Sequence, residues 1–268
     1  MKKLLCAMLC VLMLLSAAAC GKKPQEQQDT QEPDVPDTSV PVDWYADYST
    51  FVDNHYDTLL SACGQISGFA FLDLDRDGTP ELLVYDQGAS AAMGVNVFDL
   101  DGDEIVCVSC CFDASVLDEM SVRAGEQVGE ISINANGESS FRLLERPTDG
   151  TQFYIVESGN GAELFLWREL IEFGCDENGL VTLESLMYRM DTYDENTHEL
   201  ADSEFTVSGE AADADAYNEA YTTFFAGVQE TGFSIPDVFL WSGDYTQTHD
   251  SCMTMLRDAA DVYRDAVA

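Results

Sequence analysis

Apolar positions recur along this chain with two different periods, and the alternation between them sets the expected architecture. Across 44–63, Trp44, Tyr48, Phe51, Val52, Tyr56, Leu59, Leu60 and Cys63 fall three or four residues apart, the spacing of one face of an amphipathic helix. The same period returns at 212–228 and at 250–267, where Met253, Leu256, Ala260, Tyr263 and Val267 share a face. Between the first two helices the pattern changes to short alternating or wholly apolar runs at 68–74, 81–85, 95–100, 105–111, 131–135, 140–145, 152–157 and 163–173. A further hairpin pairs 180–190 with 204–207. The separators are DRDG, DLDGD, NANG, TDG, SGNG and DENG, mostly an acidic or amide side chain beside glycine, which is the chemistry tight hairpins favour. The predicted fold is α+β: an antiparallel β meander, a curled or partly propeller-like sheet, with N-terminal and C-terminal packing helices and a third helix before the last. In the run 105–111 both alternating sets are apolar, Ile105/Cys107 on one side and Val106/Val108/Cys110 on the other. That strand is expected to be covered on both faces, with Cys107 and Cys110 shielded.

The N-terminus follows another logic. Lys2 and Lys3 precede the apolar run 4–15, and the small residues Ser16-Ala17-Ala18-Ala19 lead into Cys20. An apolar run this short falls below the ~20 residues that a spanning helix needs, and a basic start, apolar core and small-residue end make a secretion signal. Ala17-Ala18-Ala19-Cys20 resembles the lipobox of bacterial lipoproteins. The resemblance implies removal of 1–19, a lipid on Cys20 and a place on the extracytoplasmic face of the cell membrane; the alternative is an ordinary signal cut after Ala19. Residues 20–43 hold four of the seven prolines and no aromatic residue, so they form a disordered acidic tether, with a mean span of roughly 25–30 Å by flexible-chain statistics. Residues 44–268 are then one extracytoplasmic domain, long enough for a sizeable core.

Charge narrows the partners. The formal net charge is −38, and no lysine occurs beyond Lys23. A field of that sign repels nucleic acid and anionic membrane and favours cations or basic partners, although acidity also serves solubility alone. Of the nine cysteines, Cys63, Cys107, Cys110, Cys111, Cys175 and Cys252 remain after the signal and the anchor. They permit disulfides in an exported protein, but Cys107 and Cys111 point to one side of a regular strand and Cys110 to the other, which speaks against a shared zinc ion.

The strongest chemical motif is Asp73-Leu74-Asp75-Arg76-Asp77-Gly78-Thr79-Pro80-Glu81, set between two apolar strands. Aspartates at alternate positions curl their oxygens toward one point, Gly78 allows the sharp turn, Thr79 can offer its carbonyl and Glu81 can close the shell; calcium, with six to eight oxygen ligands in forgiving geometry, suits such a set. An EF-hand does not fit, because its twelfth position here is Val84 and a strand follows where a helix should. The segment resembles the DxDxDG strand-loop-strand unit of integrin-type FG-GAP and VCBS repeats, present here once and found singly in lipoproteins of gut Firmicutes. That resemblance implies a structural calcium ion on Asp73, Asp75, Asp77, Thr79 and Glu81. Arg76 stands where those families carry a small residue or glycine. A metal-free acidic hairpin is the competing reading. The second run, Asp99-Leu100-Asp101-Gly102-Asp103-Glu104, is explained by a plain hairpin turn, and the acids from Asp191 to Glu204 by a solvated hairpin end.

Catalytic signatures are missing from the sequence. His55, His198 and His249 lie far apart and near no recognisable nucleophile, glycine-rich phosphate loop or paired metal-ligand motif. The expected function is therefore a non-catalytic, surface-tethered interaction or ligand-binding module whose partner is an extracellular protein or glycan. The alternatives are a cell-envelope hydrolase working through two carboxylates and an accessory structural lipoprotein without a ligand.

Overall fold

The computed structural model describes residues 43–86, 93–110, 112–125, 131–133, 140–162, 164–176, 179–237, 239–240 and 247–268. Cys20, the signal-like segment, the tether as far as residue 42 and Cys111 lie outside the described residues. Helix α1 (Trp44–Cys63) begins where the Asp43 side chain accepts the Ala46 N–H at 3.2 Å and ends at Gly64, whose φ of +68° suits a residue without Cβ. Its buried side chains, Tyr48, Phe51, Val52, Tyr56, Leu59 and Cys63, trace the helical stripe seen in the sequence.

The strands divide into two sheets. The first runs β1 (Ile66–Leu72), β2 (Glu81–Asp86), β3 (Met93–Asp101), β4 (Glu104–Ser109) and β5 (Arg123–Ala124), with β6 (Ile131–Ile133) pairing β3 beyond the end of β4. The second is a long meander of β7 (Ser140–Arg146), β8 (Thr151–Ala162), β9 (Phe165–Cys175), β10 (Val181–Tyr193), β11 (Leu200–Val207) and β12 (Glu210–Ala212). After helix α3 (Ala214–Ala226), β13 (Gln229–Pro236) returns to pair β7, and β14 (Phe239–Leu240) crosses to the first sheet and pairs β1. Helix α4 (His249–Val267) closes the chain, started by a reciprocal cap between Thr248 and Ser251. The α+β class with curled, mostly antiparallel sheets is as the patterning predicts.

Every residue of β1 and β2 is buried, so both faces of these strands are covered. On one side Trp44 packs against Phe71 at 5.0 Å between ring centroids and Phe51 against Phe98 at 5.2 Å. The buried Tyr48 hydroxyl donates to the Phe98 carbonyl at 3.1 Å. α4 touches both β1 and β13, and its Tyr263 meets Trp44 and Phe233, so one continuous core joins the two sheets. A smaller cluster lies between the second sheet and α3, where Leu144, Phe153, Ile155, Leu170 and Met187 meet the half-covered Tyr217, Phe224 and Phe225.

Several details differ from expectation. A further short helix, α2 (Ala114–Glu119), follows β4; with only Leu117 buried it is too brief to show a period. β4 ends at Ser109, short of Cys110, and carries an irregularity in its register with β3 between Val97 and Phe98. Val106, Cys107 and Cys110 are nonetheless buried, as the doubly apolar pattern requires. β5 pairs β4 in parallel, and β12, β13 and β14 lack a sequence signal strong enough to separate them from loops. The SGNG segment is not a turn: β8 continues through it to Ala162. A Cβ on Gly159 would sit 2.9 Å from the Trp167 carbonyl oxygen, so this glycine serves close strand approach and not chain reversal.

Candidate metal centre

The loop 73–80 is the connection of a hairpin, since Leu72 pairs Glu81 across β1 and β2. Its conformation is held by its own carboxylates. Asp75 Oδ1 accepts the Asp77 N–H at 3.0 Å, Asp77 Oδ1 accepts the Thr79 N–H at 2.6 Å, and Glu81 Oε2 accepts the Leu74 N–H at 2.6 Å. Gly78 takes a φ of +94°, and the buried Leu74 pins the loop to the core. Arg76 also adopts a left-handed φ, +70°, which a non-glycine residue does at a cost. Its guanidinium turns out of the loop, lying 4.4 Å over the Tyr154 ring and donating to the Tyr154 hydroxyl at 3.3 Å. The cation within the loop is thus anchored on the second sheet.

Asp73, Asp75 and Asp77 each bring one carboxylate oxygen within 4.8 Å of the others. Calcium holds its oxygens at about 2.3–2.6 Å, so ligands of one ion lie within about 5 Å of each other and the three aspartates meet that limit. Asp73 Oδ1 is buried and has no hydrogen-bond partner, an orphaned acceptor of the kind a cation would satisfy. No family model, curated protein or solved structure matches this chain. The site therefore rests on its own geometry.

Electrostatics point the same way. Burial pushes the Asp73 carboxyl up, while the Gly78 N–H and the Arg76 guanidinium pull it back. Burial raises Glu81 to about 9, opposed by the Leu74 N–H and its own N–H and reinforced by Asp75 and Asp99. Clustered carboxylates in partly dry surroundings disfavour each other's charge, and a divalent ion inverts that preference. Of the sequence-derived set, Asp73, Asp75 and Asp77 converge. Thr79 contributes its N–H to the loop scaffold, and Glu81 lies at the loop base, 2 % exposed and outside the trio.

One residue was missed by the sequence reading. Asp99, in β3, lines a cavity of about 340 Å³ together with Asp75, Asp77 and Glu81. Burial raises its carboxyl, the Leu100 N–H opposes this, and Asp75 and Asp77 add to the rise. The plain-turn reading describes only the tip of that hairpin, where Gly102 has a φ of +71° and Asp101 pairs Glu104. Asp99 precedes the turn and faces the calcium-like loop. The signal was available as a second acidic alternation in the neighbouring strand. Cys175 lines the same cavity from the second sheet, and burial, then Glu81, Asp75 and Asp99, push its thiol up. The three converging side chains offer hard carboxylate oxygens, which suit calcium better than zinc.

The reading of Asp191 as part of a solvated hairpin end is corrected. Asp191 is 5 % exposed and bound through both oxygens by Arg189, with Ser203 donating at 2.6 Å. Asp194 does cap the exposed turn, accepting the Asn196 and Thr197 N–H groups. Among the histidines, His55 is half-buried against Phe51, and His249 Nε2 lies 3.0 Å from Asp53. None faces the acidic loop cavity.

Proposed function

We propose that this chain is a lipid-anchored extracytoplasmic lipoprotein whose body is a non-catalytic binding module held in shape by one structural calcium ion. The observation that carries the reading is the convergence of Asp73, Asp75 and Asp77 around the orphaned Asp73 Oδ1. Asp73, Asp75 and Asp77 would hold the ion, with Glu81 behind them and Asp99 beside them. Bound calcium would supply positive charge that relieves carboxylate repulsion. The chain's own part is to pre-form the loop: its N–H groups fix the Asp75, Asp77 and Glu81 side chains, and Leu74 and Arg76 tie it to the core and to the second sheet. The signal-like N-terminus ending at Cys20 supports the anchored placement.

Calorimetry and thermal melting test the calcium site. At free calcium about one hundred times the dissociation constant, binding to the native state alone should add about 2.7 kcal/mol of stability. Asp75→Asn combined with Asp77→Asn should abolish both the binding heat and the rise in melting temperature. Magnesium should help less, because it demands a tight octahedral shell. Equal melting in calcium and chelator, with no binding heat, would falsify the calcium site. For the anchor, Cys20→Ala should abolish lipid incorporation, and inhibiting lipoprotein signal peptidase should leave the precursor in the membrane; a mature, unlipidated wild-type protein in the medium would reject it.

A further inference from the structure

A separate cleft of about 660 Å³ opens between α1, the β3–β4 hairpin and the segment that follows α2, a size typical of ligand sites. Its lining mixes polar groups, Thr50 and Asn54 among them, with the edges of Phe51, Leu100, Met120 and Val122, side chains otherwise buried in the core, and the half-covered Ile105. The walls are tied together. Thr58 Oγ1 donates to Glu119 at 3.2 Å, joining α1 to α2, and Arg123 pairs with Asp101 and reaches Glu104 at 3.5 Å, joining β5 to the hairpin tip. The guanidinium in the lining is thereby matched. Asp47, Asp103 and Asp118 stand exposed on the rim, and none of the three enters an ion pair among the described residues.

Two backbone irregularities line the same cleft. His55 departs from helical geometry within α1 (φ −117°, ψ 15°), with its ring 5.4 Å from Phe51. Ser121 takes a left-handed φ of +56°, a conformation that costs a non-glycine residue stability and tends to persist where a site needs it. A cleft with apolar edges among polar groups and unmatched carboxylates around its mouth is complementary to a side chain with a hydrocarbon stem and a cationic head. The described body has no lysine with which to fill it, and the net charge of −38 draws cationic partners from a distance.

We propose that this cleft receives a lysine or arginine side chain presented by a basic segment of a partner protein. The inference rests on the binding-module reading and supplies its surface and partner chemistry. The test titrates a short peptide of alternating lysine and glycine into the full chain, in calcium and at physiological salt, followed by backbone amide shifts. Shifts should concentrate at residues 47–55 and 100–123. Asp103→Asn with Asp118→Asn should weaken binding about tenfold, as expected for carboxylates that contact the cation. Asp215→Asn with Glu219→Gln on α3 removes the same charge elsewhere and should change binding by less than about twofold. Equal losses in both double variants, shifts outside the cleft, or no peptide binding would overturn the proposal. So would occupation of the cleft by an uncharged oligosaccharide, or a parent spectrum altered there by Lys22→Gln with Lys23→Gln, which would assign it to the chain's own tether. Calcium heat measured on the same samples separates the two readings: loss of peptide binding with calcium binding intact removes the cleft alone.

Discussion

Glu81 and Asp191 are carboxylates with little exposed surface of their own, 2 % and 5 %, but Glu81 lies deep in the core and Asp191 in the shallower layer of the second sheet, and their charge states are driven in opposite directions. Glu81 receives one N–H from the loop and no guanidinium, and burial lifts it to about 9. Burial pushes Asp191 upward as well, but the Arg189 and Ser203 hydrogen bonds outweigh it and hold the carboxyl below its usual range. Arg189 is two residues from Asp191 on one strand, so both side chains project from the same face and the fork closes locally at 2.9 and 2.8 Å. Depth and local partners together set the charge of these two acids. One of these acids has its cation built into the strand, whereas the other has no guanidinium beside it and is held toward the protonated form.

The difference can be broken most forcefully with pH. In chelator, Glu81 has a folded value of about 9 against an ordinary value near 4.5. Between those limits the native state holds a proton the unfolded chain has released, so metal-free stability should fall as pH rises from about 5 to 9, by an amount on the order of several kcal/mol. Urea midpoints across this window measure it. Glu81→Gln should flatten the slope in chelator, and calcium should lessen it in the parent; a parent curve already flat in chelator would show that Glu81 ionises freely.

Asp191 should give the opposite sign. Its folded value is lowered, so its contribution is present above the ordinary aspartate range and is lost as pH falls through the folded value. Arg189→Ala should cost about 2 kcal/mol, less than a fully buried pair because Arg189 is itself 41 % exposed. Arg189→Lys should recover only part, since a point charge cannot bind both oxygens. Chemical denaturation of the two variants decides this, and equal stability of Ala and Arg would mean that water replaces the guanidinium.

The smallest effect sharpens the role of Arg76. Arg76→Ala keeps the left-handed strain and loses the contact with Tyr154, costing about 1 kcal/mol. Arg76→Gly loses the same contact but relieves strain worth about 1 kcal/mol, and should melt close to the parent. If glycine and alanine melt alike, the backbone at 76 is unstrained in solution.

Much of this was legible because local chemistry and tertiary demand coincide. The stripes from Tyr48 to Cys63 and from Cys252 to Tyr263 mark α1 and α4, and the Asp-Gly pairs mark the β1–β2 and β3–β4 turns. What stayed hidden depends on contacts distant in sequence. Gly159 and Gly161 look like turn residues, but the carbonyls of β9 that crowd them cannot be read from their neighbours. Asp191 reads as one more acid until its cross-strand partner Ser203 is placed beside it. Asp99 acquires meaning only when β3 pairs β2 and brings it to the loop from another hairpin.

The passage of one segment from β13 to β14 has a consequence for biogenesis. Residues 229–240 supply the last edge strand of the second sheet and then of the first, where Gly68 pairs Leu240, and the Tyr85 hydroxyl seals the junction by donating to the Asp237 carbonyl at 2.6 Å. A chain emerging N-terminus first can build hairpins as it appears, yet the outer edge of β1 stays open until residues 239 and 240 have emerged. Such long-range closure slows folding, and unpaired edges invite intermolecular pairing. Completion of both sheets thus waits for residues 229–240, and a chain stopped before residue 229 would leave two templates for aggregation where the folded protein presents none at those positions.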